Sequence, residues 1–227
     1  MATTPAKTVK IEVVVKGDGS QQSLGDCPFT HRVLLALEMK QLPYSMRYID
    51  VDNKPAWLQE QFGGKVPLIK FDDGGGYLPD SDAIVKELEA RYPQQPTGQQ
   101  QEAQQTPSRI FPAFRDFLMS KPEDESEKEQ ALISELTALD NTLKQQEGPF
   151  LGGKALNLND ASVAPKLYHL SVALPHFKGW AVPAQLSSLH TYLAEISKTP
   201  EWQHTQYGHD VVIRGWERHG ALKKEAP

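Results

Sequence analysis

Apolar positions alternate through Val9-Lys10-Ile11-Glu12-Val13-Val14-Val15, a β-branched run that predicts a strand. From Phe29 the period lengthens. Phe29, Val33, Ala36 and Leu37 share one face of a helix running to Lys40. Tyr44 to Val51 predicts a second strand, Lys54 to Phe62 a short helix or turn opening with Pro55, and Val66 to Phe71 a strand entered through Pro67. Asp72-Asp73-Gly74-Gly75-Gly76-Tyr77 is a hairpin turn. Ser81 is expected to cap a helix from Asp82 to Tyr92, ended by Pro93. A strand–helix–strand unit followed by a short helix, a hairpin and a last helix makes a small α/β sheet domain over residues 8–93.

Residues 94–105, rich in glutamine, read as a linker. Beyond them, over residues 106–222, the period is helical and no strand run occurs. Phe111, Phe114, Arg115 and Leu118 mark one helix, and Leu132, Leu136, Leu139 and Leu143 the next. Gly148 to Gly153 breaks the chain. Asn157 then opens a capping box with Asp160 at the third helical position, at the head of an apolar helix from Ala161 to Leu174. Leu186, Leu189, Leu193 and Ile196 give a further helix. The second domain is therefore all-α.

Composition narrows the functions open to such a chain. A net charge of -5 and the lack of a basic stripe argue against nucleic acid. The mean hydropathy of -0.50 and the absence of a long apolar run leave no spanning helix. No apolar leader follows Met1, so the expected location is cytoplasmic; a chloroplast form with its transit peptide removed would read the same way. No metal-ligand spacing occurs. A single cysteine in 227 residues excludes an internal disulfide.

That cysteine, Cys27, is either an inert packing residue or a thiol that works alone. It falls between the first predicted strand and helix, in Gly25-Asp26-Cys27-Pro28-Phe29-Thr30-His31-Arg32. Pro28 suits the first helical position, where the N–H it lacks would have no partner, and this makes Cys27 the N-cap. Free N–H groups and the positive end of the helix dipole favour a thiolate there. Thiols in such positions have pKa values of roughly 3.5–7.5, against about 8.5 for a free cysteine. Thr30 stands where a dithiol site would carry its resolving cysteine, so a Cys27 that works as a redox thiol needs an external reductant. His31, four residues on, is either a surface histidine or a group that lowers the thiol pKa when protonated.

The whole arrangement resembles the glutathione transferase fold, an α/β thioredoxin-like N-terminal domain plus an all-α C-terminal domain. Leu24 to Phe29, Asn53-Lys54-Pro55-Ala56-Trp57, Gly64-Lys65-Val66-Pro67, Asp80 to Val85, Ala164-Pro165-Lys166-Leu167-Tyr168-His169-Leu170 and Gly215-Trp216 are similar to plant-type dehydroascorbate reductases. The Cys-Pro-Phe turn alone is shared with glutaredoxins, omega-class transferases and chloride intracellular channel proteins.

The resemblance implies glutathione-dependent reduction of dehydroascorbate, with Cys27 as nucleophile and a glutathione mixed disulfide as intermediate. It implies a glutathione site of Lys54 for the glycyl carboxylate, the Val66 backbone before a cis Pro67, and Ser81 with Asp82 for the γ-glutamyl end. It assigns the dehydroascorbate side to Lys16, Asp26, His169 and Trp216, the last two from the helical domain, with His169 donating to an enediolate oxygen. Glutathione is then a co-substrate, no cofactor stays bound, and the protein is a monomer without stable membrane association. Two other functions use the same turn: an omega-like thioltransferase acting on mixed disulfides, and a membrane-inserting, chloride-channel-like protein. Against the latter, the first helix carries His31, Arg32, Glu38 and Lys40 and is too short to span.

Overall fold

The computed structural model describes residues 10–19, 22–93 and 109–223. The predicted linker over 94–105 lies outside the described residues. The chain divides into two compact units, Met1–Gln94 and Gln95–Pro227.

The first unit holds a four-stranded sheet in the order β2-β1-β3-β4. Its strands are β1 (Ile11–Lys16), β2 (Tyr44–Ile49), β3 (Leu68–Phe71) and β4 (Leu78–Pro79), and its helices α1 (Pro28–Met39), α2 (Ala56–Phe62) and α3 (Ser81–Arg91). β1 runs parallel to β2 and antiparallel to β3, and β3 antiparallel to β4. Alternation along β1 puts Val14 on one face, where Ile49, Leu58 of α2 and Leu68 close a core beneath Trp57, Phe62 and Tyr77. Val13 and Val15, on the other face, are fully buried too. The apolar sides of α1 and α3, which pack on each other, supply matching core residues such as Val33, Leu37, Ile84 and Leu88.

Register decides where the functional segments meet. Leu68 lies opposite both Val14 and Pro79. The Val66–Pro67 turn that enters β3 and the Asp80–Ser81 turn that leaves β4 therefore sit at the carboxyl end of β1. The chain passes from that same end through Gly17 to Gly25 into α1. Gly25 is held against β1 by its N–H to the Lys16 carbonyl at 2.8 Å. A Cβ at Gly25 would stand 2.5 Å from the Gly17 carbonyl oxygen, so this approach needs glycine.

Among the described residues of the second unit the named elements are all helices: α4 (Ile110–Leu118), α5 (Glu125–Lys144), α6 (Leu158–Lys178), α7 (Ser187–Ile196), α8 (Pro200–Thr205) and α9 (His209–Arg218). α6 is the central element and packs on α4, α7 and α9. The capping box forms as read from the sequence: the Asn157 side chain accepts from the Asp160 N–H, and the Asp160 carboxylate from the Asn157 N–H. α6 runs past the expected Leu174, carrying Pro165 and Pro175 inside it, and stops at Gly179 with φ 64°. Burial on nearly all sides keeps it helical where local preference alone would break it. α8 and α9 have no counterpart in the sequence reading. Phe29, expected in the core, is 41% exposed; its neighbours Pro28, Thr30 and His31 are buried instead.

Candidate active site

Cys27 is the N-cap of α1, with extended backbone (φ -97°, ψ 107°) and Pro28 at the first helical position. Its Sγ accepts the Thr30 N–H at 3.4 Å. The sulfur is half-buried. Burial pushes the thiol above its ordinary pKa, and the Thr30 hydroxyl, the Thr30 and Phe29 N–H groups and the Lys16 charge pull against it without overcoming it. The expectation of an acidic thiol is thus corrected. The helix terminus is present and aimed at sulfur, but desolvation outweighs it. His31 is no surface residue either: it is fully buried in α1, its N–H donating to the Cys27 carbonyl at 3.0 Å.

Lys16, the last residue of β1, reaches Asp26 with Nζ 2.6 Å from Oδ1. Both side chains are mostly buried, at 14% and 7% exposure, so the pair is part of the ground beneath Cys27 rather than a surface contact. In the turn that enters the neighbouring strand, β3, the Val66–Pro67 bond is cis. Lys54 lies in the connection that follows β2, which ends beside Lys16, and its stem packs near Gly64.

At the start of α3 the structure revises the predicted cap. Asp80, not Ser81, is the N-cap: its Oδ1 accepts the N–H groups of Asp82 at 2.9 Å and Ala83 at 3.0 Å. Asp80 adopts φ 74°, a conformation that short polar side chains tolerate best. Ser81 is the first helical residue and is buried. Its Oγ accepts from Arg32 Nη1 at 3.5 Å, and the same Nη1 lies 2.5 Å from Asp82 Oδ1. Arg32 had no role in the sequence reading. It is one turn beyond Cys27 on α1, and a charge on an amphipathic helix carries no sign of a partner about 50 positions later.

Lys16, Asp26, Cys27, Val66, Pro67 and Ser81 thus gather at one end of the first unit's sheet. His169 and Trp216 belong to the second unit, where they are bonded to one another. The Trp216 indole N–H donates to His169 Nδ1 at 3.1 Å, and His169 Nε2 lies 2.8 Å from the Tyr207 hydroxyl. An indole only donates, so Nδ1 must accept and the ring proton is on Nε2. The Tyr168 hydroxyl donates to the Tyr207 carbonyl, and burial pushes the Tyr168 phenol up to about 12. Trp216 is also packed on Phe114 at 5.1 Å between ring centres. Both ring nitrogens of His169 are therefore engaged inside the helical unit, and the expected donation to an enediolate oxygen has no spare N–H behind it. Tyr207, 38 residues from His169, went unnoticed in the sequence. Among the described residues no group of three or more His, Cys, Asp or Glu could hold a metal, and no helix is long and apolar enough to cross a membrane.

A lone capping cysteine beside a cis-proline turn, on a thioredoxin-like sheet with a helical unit after it, defines a glutathione transferase of the cysteine type. The comparisons narrow that class. Residues 23–96 match the family model for the glutathione S-transferase N-terminal domain. The chain is 44% identical, over 88% of its length and 92% of the relative's, to glutathione S-transferase DHAR2 of Arabidopsis thaliana. It is 45% identical, over 91% and 96%, to the probable cytosolic glutathione S-transferase DHAR1 of Oryza sativa subsp. japonica. Among solved structures, the Chlamydomonas reinhardtii dehydroascorbate reductase is 50% identical with a TM-score of 0.86, covering 92% of this chain and 98% of that one. The chain belongs to the dehydroascorbate reductase family of glutathione S-transferases.

Proposed function

We propose that the protein reduces dehydroascorbate to ascorbate with glutathione, through a mixed disulfide on Cys27. The observation that carries this is the cysteine itself, the only one in the chain, capping α1 with the Thr30 N–H on its sulfur. The Cys27 thiolate attacks a dehydroascorbate carbonyl carbon. A glutathione thiolate then attacks Sγ, and the carbon–sulfur bond breaks with its electron pair moving into the enediol. This leaves ascorbate and Cys27 joined to glutathione. A second glutathione thiolate attacks the glutathione sulfur of that disulfide and releases oxidised glutathione and the Cys27 thiolate. Two glutathiones supply two electrons and two protons, which together reduce one dehydroascorbate.

Roles for the surrounding residues follow from their chemistry. The Val66 backbone beside Pro67 is the edge to which the cysteinyl unit of glutathione adds as a short strand. Lys54 meets the glycyl carboxylate. Ser81 and Asp82 meet the γ-glutamyl end. The Lys16–Asp26 pair contacts the hydroxyls and carbonyls of dehydroascorbate beside the nucleophile. For the helical unit we assign Trp216 to the ascorbate side and make His169, with both nitrogens engaged, the residue that holds Trp216. The protein is proposed to act as a cytoplasmic monomer.

The test is glutathione-dependent reduction of dehydroascorbate by the wild type and by Cys27→Ser. Activity should fall to background in the variant, and comparable rates would refute the mechanism. The same assay with a mixed-disulfide substrate separates this function from that of an omega-like thioltransferase, which would prefer the disulfide.

A further inference from the structure

We propose that Arg32 is a positioning residue that makes the start of α3 selective for the zwitterionic head of the γ-glutamyl unit. The inference rests on the glutathione reading above. The first-turn N–H groups of Asp82 and Ala83 are both spent on Asp80. A carboxylate arriving there therefore depends on the Ser81 hydroxyl more than on the free N–H groups usual at a helix start. A hydroxyl has one proton and can point it either way. Arg32 Nη1, donating into Ser81 Oγ, occupies a lone pair and leaves the proton to be aimed outward as a donor.

The same guanidinium deals with Asp82. An uncompensated carboxylate one residue from Ser81 would repel an incoming α-carboxylate. Nη1 on Oδ1 offsets that charge, while Asp82 remains 79% exposed and keeps Oδ2 for an ammonium group. The Arg32 side chain is only 13% exposed, and its Nε is buried with no hydrogen-bond partner among the described residues. A guanidinium held this way is weakly hydrated and rigid, so it fixes both partners with little freedom lost on binding. The subsite then offers a donor and a positive charge to the carboxylate and an acceptor to the ammonium. That pattern fits an α-amino acid head and disfavours a plain acid or a plain amine.

The experiment compares glutathione with cysteinylglycine, which has the same thiol and glycyl carboxylate but lacks the γ-glutamyl head. The KM of each is measured for the full chain with dehydroascorbate as oxidant. In Arg32→Gln the ratio of the glutathione KM to the cysteinylglycine KM should rise about tenfold over wild type, the range of one charge-assisted hydrogen bond. A ratio within about twofold of wild type would overturn the inference, because a clamp that only ties α1 to α3 would weaken both thiols alike. If Arg32→Gln does not fold, Arg32→Lys supplies the same comparison, with a smaller rise of the same selectivity expected and an unmoved ratio again decisive against it. A wild type that shows no preference for glutathione over cysteinylglycine would instead refute the glutathione site itself.

Discussion

Replacing Asp160 should unseat the longest apolar helix of the protein. Its Oδ1 accepts the Leu151 N–H at 2.9 Å, and its Oδ2 the N–H groups of Gly152 at 3.1 Å and Asn157 at 2.8 Å. The side chain is completely buried. Asp160→Ala strands the Leu151 donor in buried surroundings, at about 1–3 kcal/mol, and loses two partly exposed bonds at about 0.5–1.5 kcal/mol each. A loss of about 2–6 kcal/mol is a large share of the ~5–15 kcal/mol that usually separates folded from unfolded protein. Asp160→Asn, with its carbonyl at the Oδ2 position, keeps two of the three bonds and sets its amide against the Leu151 N–H, so about 1–3 kcal/mol is expected. Urea unfolding at neutral pH, followed by tryptophan fluorescence, reads the effect directly, because Trp180, Trp202 and Trp216 all lie in the helical unit. The midpoint should fall in the order wild type, Asn, Ala without a change of slope. An alanine variant within about 1 kcal/mol of wild type would mean that solvent reaches the Leu151 and Gly152 donors and the capping box is ornamental.

Two other sites in the helical unit give measurable outcomes. Asp140 accepts the Leu189 N–H at 2.9 Å and pairs with Lys144 at 2.6 Å. Burial raises its carboxyl pKa, but these partners outweigh it and hold the group below the usual range. Its stabilisation is therefore present above the unfolded value of about 3.9 and is lost as pH falls through the lower folded value. Asp140→Asn should cost about 1–2 kcal/mol at pH 7, and the gap to wild type should narrow as pH falls below about 3.9 and close only beneath the lower folded value; a gap that does not narrow with acid would refute the charge argument. Trp216→Phe keeps a ring against Phe114 but removes the buried indole donor to His169 Nδ1, for about 1–3 kcal/mol. Nitrogen-15 NMR should show the Nε2–H tautomer of His169 losing its dominance, and an unchanged tautomer would count against the indole as its anchor.

Much of the fold is legible in the sequence because its cues are local. The alternation of Ile11 to Val15, the Pro28 start of α1 and the Asn157–Asp160 box each lie within a few residues, and each forms where the pattern puts it. α3 starts one residue earlier than the pattern predicts. Ser and Asp are both good caps, and only the positive φ of Asp80 decides between them. α8 and α9 escaped because six residues are too few to show a period, and because the second helix buries just Val212, Gly215 and Trp216 among polar neighbours. The site divides the same way. Cys27, Val66, Pro67 and Ser81 are marked by their own turns, whereas the bonds of Arg32 to Asp82 and of His169 to Tyr207 span 50 and 38 positions and follow from packing alone.

Packing also controls how reactive Cys27 is. The groups that favour its thiolate are fixed dipoles plus one cation, Lys16, and burial exceeds their sum. Lys16 does not act on sulfur alone, since Asp26 stands 2.6 Å from its ammonium and screens part of its charge. Asp26 is also the residue directly before Cys27, so its carboxylate opposes a thiolate on its own account. Asp26→Asn removes both effects while keeping the shape of the side chain and an oxygen for Lys16. The pH profile of iodoacetamide alkylation at Cys27 should then move to lower pH, although burial still acts. Turnover of dehydroascorbate should fall at the same time, because the proposed contact of Asp26 with the substrate is lost. A general loosening of the α1 terminus would relieve burial and move both readouts the same way, so an unfolding midpoint unchanged from wild type is required alongside them. A profile that stays in place or moves to higher pH would show that Asp26 holds Lys16 in position for the thiolate, and would refute the screening argument.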